Sequence, residues 1–143
     1  MAQEYLTEEE QQSVKAAIAL AEKSSSGEIR VHIERKCKEN VMDRAAFIFE
    51  QLAMHRTKLR NGVLFYLALD DHKLAILGDV GINQLVPEGF WDQCKEHLIK
   101  KIKRGEMIKG LCEAIVLAGN QLKEHFPYQS DDLNELSDEI SFS

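Results

Sequence analysis

Asn61-Gly62-Val63-Leu64-Phe65-Tyr66-Leu67-Ala68-Leu69-Asp70-Asp71-His72-Lys73 is the stretch on which the fold turns. Seven consecutive apolar residues stand between two turn signals. A run this short is read as a central strand covered on both faces, since a strand with one wet face alternates. Asn-Gly before it and Asp-Asp-His after it are turn chemistry, so Lys73 to Leu77 is expected to fold back as an antiparallel neighbour.

Upstream, Glu28 to Glu34 alternates strictly: Ile29, Val31 and Ile33 on one face, Glu28, Arg30, His32 and Glu34 on the other. The reading is a half-buried strand with a solvated polar face. Between these strands, Val41 to about Leu59 has helical spacing with Ala45, Ile48, Phe49 and Leu52 as its apolar stripe. A helical crossover makes the first two strands parallel. Ahead of them, Thr7-Glu8-Glu9-Glu10 is a capping box that starts a helix, and Ser24-Ser25-Ser26-Gly27 is expected to end it with Gly27 in the left-handed conformation.

Downstream, a loop from Gly78 to Pro87 leads to a helix carrying Trp91, Cys94, Leu98 and Ile102. Gly105 breaks the pattern, and a last helix runs from about Met107 to His125. The order α-β-α-β-β-α-α predicts an α/β fold: a three-layer sandwich with a small mixed parallel and antiparallel sheet flanked by helices on both faces. Residues 1–127 form one domain in this reading, and 128–143 an acidic, disordered tail.

Composition narrows the partners. Net charge is −6 over 143 residues. Asp131, Asp132, Glu135, Asp138 and Glu139 account for most of it, which leaves the body near neutral. No basic face is available for nucleic acid. No apolar run reaches the length of a membrane span, and the amino terminus has no secretory pattern. Three cysteines, Cys37, Cys94 and Cys112, stand far apart with no C-x-x-C pair, which argues against a disulfide framework and fits the cytoplasm. Neither glycine-rich nucleotide motif is present, so no nucleotide cofactor is expected.

The topology brings polar residues together. Glu28 begins the first strand, Asn61 precedes the second, and the third ends at Gly78-Asp79-Val80-Gly81; all three lie at one sheet edge, here called the lower edge. The helix after Pro87 starts there too. Glu28, Asn61, Asp79, Asn83 and Glu88 are therefore candidate oxygen ligands for Ca²⁺ or Mg²⁺. Each also has a purely structural reading as turn or first-turn chemistry. The alternative place is the upper edge, with Asp70 and Asp71 in the hairpin turn beyond Arg35-Lys36-Cys37-Lys38, the edge where open parallel sheets hold ligands. His32 reads as a solvated strand residue. Lys95, Lys100, Lys101, Lys103 and Arg104 read as a solvated helix face.

Four segments together resemble the TPM domain family: Ser26-Gly27-Glu28-Ile29-Arg30-Val31; Asn61-Gly62-Val63-Leu64 with its apolar strand; Ala75-Ile76-Leu77-Gly78-Asp79-Val80-Gly81; and Gly105-Glu106 through Gly110-Leu111 with Ala114-Ile115. The likeness spans roughly residues 8–125. It implies a mixed sheet flanked by helices and divalent-cation binding. It also implies an acid-phosphatase activity of the kind known for a plant chloroplast member. The family's Gly-x-Gly-x-Glu-Gly followed by Pro-Asp is replaced here by Asp79-Val80-Gly81-Ile82-Asn83-Gln84 and Pro87-Glu88.

Three functions follow as expectations. One is a binding module that takes a divalent cation at the lower edge and serves as a partner or accessory protein. The second is a metal-assisted phosphoester hydrolase with Asp79 or Glu28 as base. The third is an interaction domain using the acidic tail or the basic helix. The hydrolase lacks an evident nucleophile and a phosphate clamp, so binding is preferred to catalysis.

Overall fold

A computed structural model describes residues 6–128 and 140–143. Helix α1 (Glu8–Glu22) starts as the sequence predicts: Thr7 Oγ accepts from the Glu10 amide, and the Glu10 carboxylate accepts from the Thr7 amide. Strand β1 (Glu28–Glu34) follows, then α2 (Val41–Gln51), capped by the Asn40 side chain on the Met42 and Asp43 amides. The apolar run is β2 (Gly62–Ala68), and Lys73–Gly78 returns as β3. Short α3 (Val80–Asn83), then α4 (Phe90–Lys103) and α5 (Met107–His125), complete the helices.

β1 lies parallel to β2 in register Glu28↔Gly62, and β2 lies antiparallel to β3. The mixed sheet is sandwiched. On one face Ile29, Val31, Ile33, Val63, Phe65 and Ile76 pack with buried residues of α1, α4 and α5. On the other, Leu64, Tyr66, Ala68 and Ala75 pack with Ala45, Ile48 and Phe49 of α2. Every residue of β2 is buried, which is why its sequence does not alternate.

Four expectations need correction. α2 ends at Gln51, not near Leu59: Ala53 takes a left-handed conformation (φ 58°), and a single 3-10 turn (Met54–Arg56) replaces the helix. Gly27 is not a left-handed helix end, since α1 stops at Glu22 with Lys23 as its αR cap. Gly27 is required by packing: a Cβ there would stand 2.5 Å from the Leu122 side chain of α5. The polar face of β1 is not solvated, because Glu28, His32 and Glu34 are each 6 % exposed or less.

The fourth concerns the tail. Its residues 129–139 lie outside the described residues, but its end is ordered structure. Ser141–Phe142 form β4, parallel to β1, so the strand order is β3-β2-β1-β4. The reason is alternation: Ile140 and Phe142 join the helix-covered core, while Ser141 and Ser143 turn to His32 on the opposite face.

Candidate functional site

The lower edge forms as the topology requires. The Glu28 amide donates to the Asn61 carbonyl (3.4 Å), and the Asp79 amide to the Gly62 carbonyl (2.9 Å). Thus β1, β2 and β3 bring Glu28, Asn61 and Asp79 together around Gly62. Their side chains do not meet on one point. Glu28 and Asp79 flank Gly62 at about two strand spacings, roughly 10 Å. Met54 sits over Gly62, its carbonyl 3.3 Å from where a Cβ would be. Asn61 Nδ2 reaches Ser26 Oγ (3.4 Å).

Asp79 is buried and fully engaged. Arg60 donates twice to its carboxylate, Nε to Oδ2 at 2.7 Å and Nη2 to Oδ1 at 2.9 Å, and the Val80 amide donates to Oδ1 at 2.8 Å. The pair raises the Arg60 pKa, chiefly through these hydrogen bonds. Arg60 is held by its backbone as much as by the ion pair. Its φ is 53°, a left-handed conformation rare for arginine, and its carbonyl accepts from the Gly81 amide at 2.8 Å. Gly81 permits that approach: a Cβ would lie 2.1 Å from the Leu59 carbonyl oxygen. The Gly78-Asp79-Val80-Gly81 segment is therefore a clamp that seats Arg60 on Asp79.

Three of the five predicted ligands line two separate hollows, and Glu28 and Asn61 line neither. Asp79 lines one of about 300 Å³ on the α2 side, with Phe49, Glu50, His55 and Arg60. Asn83 and Glu88 line another of about 260 Å³ beside α4, where Asn83 Oδ1 accepts from Trp91 Nε1 at 2.7 Å. Glu88 is exposed. Among the described residues, no three His, Cys, Asp or Glu side chains group closely enough to hold a metal ion.

At the upper edge both hairpin carboxylates are spoken for. Asp71 accepts from the Cys37 amide (2.7 Å), and Asp70 from Arg35 Nε (3.2 Å). They fasten the segment after β1 to the hairpin, which is the structural reading of that turn.

A third polar cluster was invisible in the sequence. Glu34 accepts from Arg44 Nε and Nη2, both at 2.8 Å, from Ser143 Oγ at 2.8 Å, and from the Tyr66 hydroxyl. His32, beside them, places Nδ1 2.7 Å from Ser141 Oγ and Nε2 2.7 Å from Ser143 Oγ, with its ring parallel to that of Tyr66. Since Ser143 spends its proton on Glu34, it accepts from His32 Nε2–H. That leaves Nδ1 as the acceptor for Ser141. The alternation of β1 marks the two side chains but does not reveal what covers them. Ile140-Ser141-Phe142-Ser143 alternates too, and that was the available signal for the covering strand.

This cluster sets an acid limit. Burial lowers the His32 pKa to about 4, with Arg44 and Arg30 adding to the effect against Glu34. Burial would raise Glu34, but hydrogen bonds from Arg44, Tyr66 and Ser143 outweigh it and hold the pKa at about 2. Both shifts are downward from the unfolded values, so both contribute stability at neutral pH that is lost on acidification. His32 loses its share between pH 6.5 and about 4, and Glu34 between 4.5 and about 2. Each share is up to about 3 kcal/mol. Urea unfolding at a series of pH values is expected to show a decline beginning near pH 6.5. His32→Gln should remove that first limb and leave the more acidic one. A variant with an unchanged profile would show that His32 does not cause it.

The fold is that of a small mixed α/β domain, and comparison places it. The TPM domain model matches residues 2–121, so the chain belongs to the TPM domain family. It is similar to the BA42 protein of the psychrophilic bacterium Bizionia argentinensis, at 43% identity and TM-score 0.91 over 100% of this chain and 99% of that one. The fold alone is shared with the N-terminal domain of a P. gingivalis protein (19% identity, TM-score 0.71, 87% and 82% covered). It is also shared with the N-terminal domain of the cg2496 protein of Corynebacterium glutamicum (12%, TM-score 0.66, 90% and 80% covered). A search of the curated proteins finds no match. Among the described residues, no helix is long and apolar enough to cross a membrane.

Proposed function

We propose that the domain is a cation-responsive binding module, with Asp79 as the carboxylate that a divalent ion takes and Arg60 as the group it displaces. The observation that carries this reading is the Arg60–Asp79 pair itself. A buried carboxylate is matched by a guanidinium whose side chain is 46% exposed and whose backbone is left-handed. Unusual backbone of this kind persists where surrounding contacts impose it, and it concentrates at ligand sites and switches. Two neighbours support it. The hollow beside Asp79 is open to solvent-borne ions, and His55 lines it with a shielded Nδ1 that has no hydrogen-bond partner among the described residues. An ion arriving at Asp79 would release Arg60 to the surface, changing both charge and shape where a protein partner could bind.

Residue-resolved NMR with Ca²⁺ and then Mg²⁺ tests this. Amide shifts are expected at His55, Arg60, Asp79 and Val80, spreading to Glu28 and Asn61 through Gly62. Arg60→Gln should bind several-fold more tightly, because the competing charge is gone. Millimolar ion that leaves the Asp79 region unmoved in both proteins overturns the reading.

A further inference from the structure

The hairpin end of the sheet carries a cavity that the lower-edge chemistry does not involve. It measures about 370 Å³ and lies between the β2–β3 turn and the junction of α4 with α5. Leu67, Leu69, Leu74, Ile99, Ile102 and Met107 make its wall, and His72, Lys73 and Lys103 complete the lining. The polar groups differ in their freedom. Lys73 Nζ is committed to the Cys37 and Glu39 carbonyls (2.8 and 3.3 Å), so only its stem faces the cavity. Lys103 is exposed and has no ion-pair or hydrogen-bond partner among the described residues.

Carboxylates close in sequence are already engaged. Asp70 holds Arg35, Asp71 the Cys37 amide, and Glu106 faces Lys109 at 3.6 Å. Lys100 in the last turn of α4 and Arg104 at its C-terminal cap add further positive charge. The site thus combines an apolar trough with a cation at its rim that no described carboxylate compensates. His72, held at φ 54° by the tight turn, brings an imidazole to the same lining.

We propose that this cavity binds a free straight-chain carboxylate of medium length, its alkyl chain along the leucine and isoleucine wall and its head at Lys103 and His72. Size and charge both select this class. A methylene takes about the volume of a water, roughly 30 Å³, so the cavity accepts a chain of about eight to ten carbons. Apolar walls with a few placed polar groups are the usual composition of small-molecule sites. An ammonium head would instead meet the like charge of Lys103, and no carboxylate lines the cavity to offset it.

Octanoate, monomeric at millimolar concentration, is the probe, with octanol as its uncharged counterpart and the full chain observed by residue-resolved NMR. Octanoate is expected to shift the amides of Leu69, His72, Leu74, Ile102 and Met107, and octanol to bind several-fold more weakly. Lys103→Gln should weaken octanoate several-fold while leaving octanol unchanged. Met107→Trp, which fills the trough, should abolish both without altering distant resonances. Shifts elsewhere, or none at saturating octanoate, would overturn the site. Equal binding of octanoate and octanol, or a Lys103→Gln protein that binds octanoate as before, would overturn the assignment of a carboxylate.

Discussion

Arg44→Ala is expected to cost the fold about 3–5 kcal/mol, the size seen when one partner of a buried ion pair is removed. Glu34 is the reason. Its side chain is 7% exposed, and Arg44 supplies two of its hydrogen bonds and all of its charge compensation. Tyr66 and Ser143 would still donate to the stranded carboxylate, but neither neutralises it. The loss should therefore shrink as pH falls and Glu34 takes up a proton, the reverse of the wild-type trend. Urea unfolding of Arg44→Ala, Glu34→Gln and the double variant measures the coupling directly. The double variant should be more stable than Arg44→Ala alone. A loss under about 1 kcal/mol, the range of an exposed pair, would mean that water compensates Glu34.

The second large effect is at Gly81. Its alanine variant forces a methyl into a space where the Leu59 and Arg60 carbonyl oxygens lie 2.1 and 2.6 Å away. Backbone cannot rotate aside as a side chain can, so α3 must shift. The cost is expected at about 3 kcal/mol, the upper end for overpacking. Gly89→Ala supplies the comparison. Nothing lies within 4 Å of a Cβ there, yet φ is 76°, so the cost is conformational only, about 1 kcal/mol. Equal losses in the two variants would show that the approach of α3 to Arg60 yields easily. Because Gly81 also seats Arg60 on Asp79, its variant should disturb the His55, Arg60 and Asp79 resonances well beyond the substitution.

The contrast between these residues shows how far the chain could be read. Strand β2, its hairpin and the parallel β1 were legible because their signals are local: an unbroken apolar run, turn residues and strict alternation. The nearness of Glu28, Asn61 and Asp79 was legible for the same reason, since direction and order alone bring those strand ends together. What holds each side chain was not. Asp79 meets Arg60 across 19 residues and Glu34 meets Arg44 across ten, and neither pairing leaves a periodic mark. Polar alternation in β1 reads as exposure because a solvated face and a buried polar one use the same residues. β4 escaped because two paired residues behind an acidic run carry little pattern. The left-handed Arg60 followed no residue preference at all; Gly81, twenty-one positions later, makes room for it.

That last strand also orders the assembly of the molecule. Ser141 meets His32 across 109 residues, so the outer edge of β1 gains its partner only after every helix has been made. At a synthesis rate of about 5–20 residues per second, the edge and its two ionisable side chains wait roughly 5–20 seconds uncovered. During that interval His32 lacks both serines, and Glu34 lacks one of its donors. The nascent domain is thus more open to pairing with a foreign strand than the finished one. Pairing of Ser141 and Phe142 with β1 is therefore the last of the sheet contacts that the growing chain can make.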